Sequence, residues 1–134
     1  MPSTGPDLLK FGNAILYSLQ NEDGIIKSAT VKQFRDGMQS EATEDKLGTY
    51  GFGLDREKTL TRPWLENYLD GFGHTGGAID ASSIIRIYPF DESDDDPVEG
   101  SGKRPRGMVV VILTNCYGVS CRKLAQKIAQ NYLD

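Results

Sequence analysis

The only histidine of this chain lies in Phe72-Gly73-His74-Thr75-Gly76-Gly77-Ala78, where an imidazole, a hydroxyl and two glycines are consecutive. An imidazole titrates near neutral pH and supplies a polar or part-cationic group. A threonine hydroxyl can hold a substrate carboxylate or amide, and glycines let another backbone approach closely. Taken by residue type alone, the same run also reads as a loop ending in His74, with Thr75 capping a strand. A second run, Ser120-Cys121-Arg122-Lys123, has the Ser-x-x-Lys spacing that sets a hydroxyl and an amine one helical turn apart. It follows an apolar strand and heads an apolar-striped helix, so Ser120 reads as an N-cap and not as a nucleophile.

Other reactive groups offer less. Cys116 and Cys121 are too few for a disulfide scaffold, and with one histidine a zinc site would need carboxylates too. They read as structural thiols, with one local bridge left open. The acidic run Asp91, Glu92, Asp94, Asp95, Asp96 and Glu99 lacks the Asp-x-Asp-x-Asp-Gly pattern of a calcium loop. With Lys103, Arg104 and Arg106 behind it, it reads as a solvated loop between two antiparallel strands. No cofactor and no metal is expected.

At 134 residues the chain makes one domain, or part of one. Lys and Arg number 15 against 19 Asp and Glu, a net charge of -4 that gives no basic footprint for nucleic acid. No apolar run has the length of a membrane span. Met1-Pro2-Ser3-Thr4-Gly5-Pro6 lacks the charged and apolar regions of a signal peptide, so the compartment is left unknown.

The elements that must position the histidine run follow from periodicity. Residues 4–21 predict a helix capped by Ser3 or Thr4, with Pro6 and Asp7 in its first turn and Leu8, Phe11, Ile15 and Leu19 as its stripe. Leu9 and Leu16 widen that stripe, and Gly24 is the candidate left-handed residue after it. A shorter helix over 28–39 has Ser28 as candidate N-cap and Val31, Phe34 and Met38 facing inward, while 40–48 is polar. Thr49-Tyr50-Gly51-Phe52-Gly53-Leu54 reads as a strand that another backbone approaches. Trp64, Tyr68 and Phe72 read either as core or as pocket lining, and Asp80 and Arg86 as surface residues. Ile84, Ile85, Ile87 and Tyr88 form a returning strand, and Met108-Val109-Val110-Val111-Ile112-Leu113 a third. A helix over 120–133 closes the chain, with Leu124, Ile128 and Leu133 inward beside Ala125 and Ala129. The order predicts an α+β fold: an antiparallel sheet meander flanked by helices, all on one face.

Several segments in order resemble the serine β-lactamase and penicillin-binding family. Ser3-Thr4-Gly5-Pro6-Asp7-Leu8-Leu9-Lys10-Phe11 resembles its Ser-Thr-Ala-x-Asp-Leu-x-x-Phe helix, and Tyr50-Gly51-Phe52-Gly53 its Tyr-Gly-x-Gly strand. His74-Thr75-Gly76 stands where the family has Lys/His-Thr/Ser-Gly on the strand lining the active site. Val109 to Leu113 followed by Thr114-Asn115 resembles the last strand. Pro105-Arg106-Gly107 after a long charged insertion is most similar to the animal mitochondrial serine β-lactamase-like proteins, implied to be filament-forming serine peptidases or amidases.

The resemblance implies the C-terminal part of a β-lactamase/transpeptidase-like fold. It also implies that His74, Thr75, Gly76 and Gly77 bind a peptide or amide substrate, the Gly77 backbone N–H serving as an oxyanion donor in a complete enzyme. The family's nucleophile, the Ser of a Ser-x-x-Lys far upstream of the triplet, and its Tyr/Ser-x-Asn motif are both missing. The expectation is therefore a substrate-binding part of a serine hydrolase, inactive as this chain. The alternatives are a non-catalytic scaffold that self-associates through an exposed strand edge, or a helper pairing with a separately encoded half.

Overall fold

The computed structural model describes residues 3–36, 49–50, 53–56, 71–89 and 107–133. Two helices, α1 (Gly5–Gln20) and α2 (Ser28–Asp36), precede the strands β1 (Thr49–Tyr50), β2 (Asp55–Arg56), β3 (Phe72–Ala78), β4 (Ala81–Pro89) and β5 (Gly107–Thr114). Helix α3 (Cys121–Leu133) closes the chain. The strands form one antiparallel sheet in the order β1-β2-β3-β4-β5, a meander. The α+β class and the meander are as expected from the sequence.

Helix α1 begins because Thr4, extended at φ -120° and ψ 160°, accepts from the Asp7 N–H at 3.3 Å. Thr4 Oγ1 also donates to the Asp7 carboxylate at 2.8 Å, and that carboxylate suits the positive end of the helix. The helix stops at Asn21, whose backbone N–H and side-chain amide both donate to the Tyr17 carbonyl, at 2.9 and 3.0 Å. Gly24 is not left-handed, correcting the expectation. Its role is close approach, since a Cβ there would lie 2.4 Å from Ser18 Oγ. Ser28 is likewise no N-cap. It lies inside α2, buried, and its hydroxyl donates to the Leu19 carbonyl at 3.0 Å, tying α2 to the end of α1.

The inward face of α1 is turned from the expected stripe. Ile15, Leu16 and Leu19 are buried, but Phe11 is 53% exposed and Gly12 takes the contact line. A Cβ on Gly12 would meet Val109 Cγ1 at 2.5 Å, so the glycine lets α1 lie close against the sheet.

Helices cover both faces of the sheet, not one as predicted. Strand residues alternate, and so do the two cores. Ile15, Leu16, Leu19 and Val31 pack with Phe72 and Ile87 on one face. Cys121, Ala125 and Ala129 pack with Ile84, Tyr88 and Val110 on the other. Each buried Ile, Leu or Phe contributes about 1.5–3 kcal/mol. On helix α3 the two expected alanines do face inward, but the expected leucine and isoleucine do not. Ala125 and Ala129 are fully buried, whereas Leu124 and Ile128 stay 43% and 42% exposed. Large side chains of the sheet (Tyr88, Met108, Ile112) already fill that layer, so small residues face them.

Of the expected strand over 49–54, Thr49–Tyr50 is strand, and residues 51 and 52 lie outside the described residues. Gly53, at φ 81°, begins the approach to β2. Met38, Trp64, Tyr68, the acidic run of 91–106, the polar stretch 40–48 and the side chain of Leu133 lie outside the described residues. Among the described residues, no helix is long and apolar enough to cross a membrane.

Candidate functional site

Strand β3 changes character along its length. Phe72 and Gly73 are buried, while His74, Thr75, Gly76, Gly77 and Ala78 are exposed. On one side β3 pairs with β4 residue for residue, His74 opposite Ile85, Thr75 opposite Ile84, Gly76 opposite Ser83 and Gly77 opposite Ser82. On the other side β2 pairs only with Phe72 and Gly73. Among the described residues, therefore, no strand lies beside that edge of β3 from His74 onward. The four expected site residues form one continuous exposed strip at this edge.

Pleating divides the strip. His74 and Gly76 share the face of Ile85 and Ser83, while Thr75 and Gly77 share the opposite face with Ile84 and Ser82. The two glycines differ. A Cβ on Gly76 would lie 2.5 Å from Ser83 Oγ, so that hydroxyl occupies the space over the glycine. A Cβ on Gly77 would meet nothing within 4 Å. The strip is thus open at Gly77 and furnished with a hydroxyl at Gly76. Ser83 had no functional role in the sequence reading; its register opposite Gly76 was the missing information.

Beyond the strip, Ile79 and Asp80 make the β3–β4 turn, with Asp80 at φ 60° and exposed, as expected of a surface residue. A cleft of about 460 Å³ is lined by Gly77, Ala78, Ile79, Asp80 and Tyr117. Phe72 is core, 1% exposed and packed against α1 residues, so it does not line a pocket. Ser120 directly precedes α3, and its carbonyl accepts from the Leu124 N–H at 3.1 Å, the place of a helix cap. Cys116 is exposed and Cys121 buried, both as free thiols. No cluster of three or more His, Cys, Asp or Glu suited to a metal occurs among the described residues.

Arg86 corrects the sequence reading most. It is fully buried, not a surface residue. Its guanidinium donates to the Asp55 carboxylate and, at 3.0 Å, to the Asp55 backbone carbonyl. Arg122 of α3 pairs with the other oxygen of the same carboxylate. Asp55, Gly73 and Arg86 stand in one cross-strand row, so Arg86 reaches Asp55 over the residue that has no side chain. That row lies immediately before His74.

No protein-family model matches the chain. Curated relatives do. The protein named serine beta-lactamase-like protein LACTB, mitochondrial, is 35% identical in Mus musculus over 142 residues, covering 97% of this chain and 25% of the relative. The proteins of that name in Homo sapiens and Bos taurus are 33% and 34% identical, again over 97% of this chain. The chain spans about a quarter of the length of these relatives. The match runs through the helix, strip and last strand just described, and the chain belongs to the serine β-lactamase-like family, corresponding to its C-terminal quarter.

Proposed function

We propose that this chain is the substrate-binding part of a β-lactamase-related serine hydrolase acting on a peptide or amide, and that it is inactive by itself. The observation that carries the reading is the exposed strip His74-Thr75-Gly76-Gly77 on β3, bordered on one side by β4 and, among the described residues, by no strand on the other beyond Gly73. An extended acyl group laid along such an edge is held by main-chain hydrogen bonds. The Gly77 N–H then serves the developing oxyanion, Thr75 a carboxylate or amide of the substrate, and His74 a polar group of it. Acylation also needs a nucleophile with a base beside it. The one Ser-x-x-Lys run, at Ser120, takes the place of a helix cap. The mitochondrial names of the relatives support a mitochondrial location.

The reading is tested with fluorescent penicillin and a fluorophosphonate. The chain is expected to remain unlabelled, whereas a longer in-frame product carrying an upstream Ser-x-x-Lys is labelled, and less so after Thr75→Val. Labelling of the chain itself, or indifference of the longer product to Thr75→Val, rejects it.

A second reading, self-assembly without catalysis, is favoured by β5. Among the described residues it ends the strand order, and Leu113 on it is 49% exposed. An apolar terminal strand offers backbone groups to a strand of another copy. Light scattering across a concentration series tests this, and a strict monomer at high concentration counts against it.

A further inference from the structure

We propose that Asp55 is a positioning residue for the substrate strip, acting on β3 through Arg86 and Arg122; the proposal rests on the substrate-binding reading of that strip. Three elements meet at its carboxylate: β2, which carries it, β4 through Arg86, and α3 through Arg122. They surround the buried end of β3, where Gly73 lies between Asp55 and Arg86 in register. Among the described residues the ladder alone is a weak anchor, because β2 has two residues and meets β3 at Phe72 and Gly73. A two-residue strand has little stability of its own. The charge-assisted bonds of Arg86, made to both the side chain and the backbone carbonyl of Asp55, hold β2 against the sheet instead.

The consequence reaches the strip because of where β3 changes from buried to exposed. From His74 onward β3 has β4 on one side and no described strand on the other. Its position is then inherited from two places, the β4 ladder and the fixed row at Gly73. Loosening the Asp55 cluster frees one of these two, and the exposed residues next to it respond first. Arg122 completes the arrangement by bringing the first turn of α3 to the same carboxylate. One carboxylate thus registers the sheet, the closing helix and the strip against one another.

The test uses the whole chain labelled with nitrogen-15 and two variants, Asp55→Asn and Arg122→Met. Arg122 is partly exposed, so its variant retains the fold even if Asp55→Asn does not. Amide exchange is followed residue by residue. The expected result is roughly tenfold faster exchange at His74 to Gly77, with Ile15 and Leu16 of α1 unchanged. Equal acceleration throughout means that the cluster contributes only general stability, and unchanged exchange at the strip means that it does not position β3; either overturns the proposal. A parallel titration with N-acetyl-trialanine separates the two claims. Loss of peptide-induced shifts at the strip in Arg122→Met supports positioning. Wild-type shifts that survive at full size in the variant overturn it. Absence of shifts in the wild type removes the substrate-binding reading on which the proposal rests, and the proposal falls with it.

Discussion

Arg86 reaches Asp55 across Gly73, a residue with no side chain to obstruct it, and the pair sits directly beside the exposed strip that begins at His74. A buried guanidinium is tolerable only when its charge is met. Removing the acid alone is therefore costly. Asp55→Asn is expected to lower stability by about 3 kcal/mol. Replacing Asp55 and Arg86 together with apolar residues costs less than Asp55→Asn alone, because the fully buried guanidinium is then removed with the carboxylate that meets it. Urea unfolding of the single and double variants checks both statements.

The glycines of β3 are expected to respond unequally to alanine. A Cβ on Gly73 would stand 2.0 Å from the Ile85 carbonyl oxygen, a backbone atom that cannot move aside. Gly73→Ala should cost about 3 kcal/mol or prevent folding. Gly77→Ala meets nothing within 4 Å and should alter stability by less than about 0.5 kcal/mol. Thermal unfolding of the two variants side by side measures the difference.

Small residues form the buried seam of α3, so enlarging them should hurt more than polarising its large ones. Ala129→Leu inserts bulk against a filled layer and should cost about 1–3 kcal/mol. Ile128→Ser, on the half-exposed side, should cost less than about 1 kcal/mol. The reverse order in denaturant midpoints would mean that α3 packs with its large residues inward.

Tyr17 donates to the Asp23 carboxylate at 3.0 Å, and this hydrogen bond, joined by desolvation and the nearby negative charge, raises the phenol pKa above its ordinary value near 10. The sign follows. A group whose folded pKa is raised stabilises the fold below its unfolded pKa, and that contribution is lost as the pH climbs through the folded value. Absorbance titration of the phenolates should show a late component that disappears in Tyr17→Phe and titrates earlier in Asp23→Asn.

Much of the frame was legible in the sequence because it is local. Thr4, Pro6 and Asp7 mark the start of α1 through contacts within one turn. The apolar runs of β4 and β5 are long enough to declare themselves, and the exposed residues of β3 stand out by their composition. What was missed depends on partners distant in the chain. Arg86 reads as a surface residue until Asp55, 31 positions earlier, is placed across the sheet from it. Gly12 carries no hydrophobic signal, yet it faces the sheet because Val109 and Ile85 leave room for nothing larger. Ser28 has the right type for a cap, but the carbonyl of Leu19 claims its hydroxyl. At the strip, the residue types suggested the chemistry, while its edge without a described neighbouring strand and the hydroxyl of Ser83 over Gly76 emerged only from register.

The central claim is that this chain retains a surface for holding an acyl group without the means to attack it. Two-dimensional nitrogen-15 NMR of the chain, titrated with a short N-acylated peptide amide, tests it most directly. The account predicts saturable shifts concentrated at His74 to Gly77 and at Ser82 to Ile85 opposite them. Shifts centred elsewhere, or none at these residues at millimolar peptide, would contradict it.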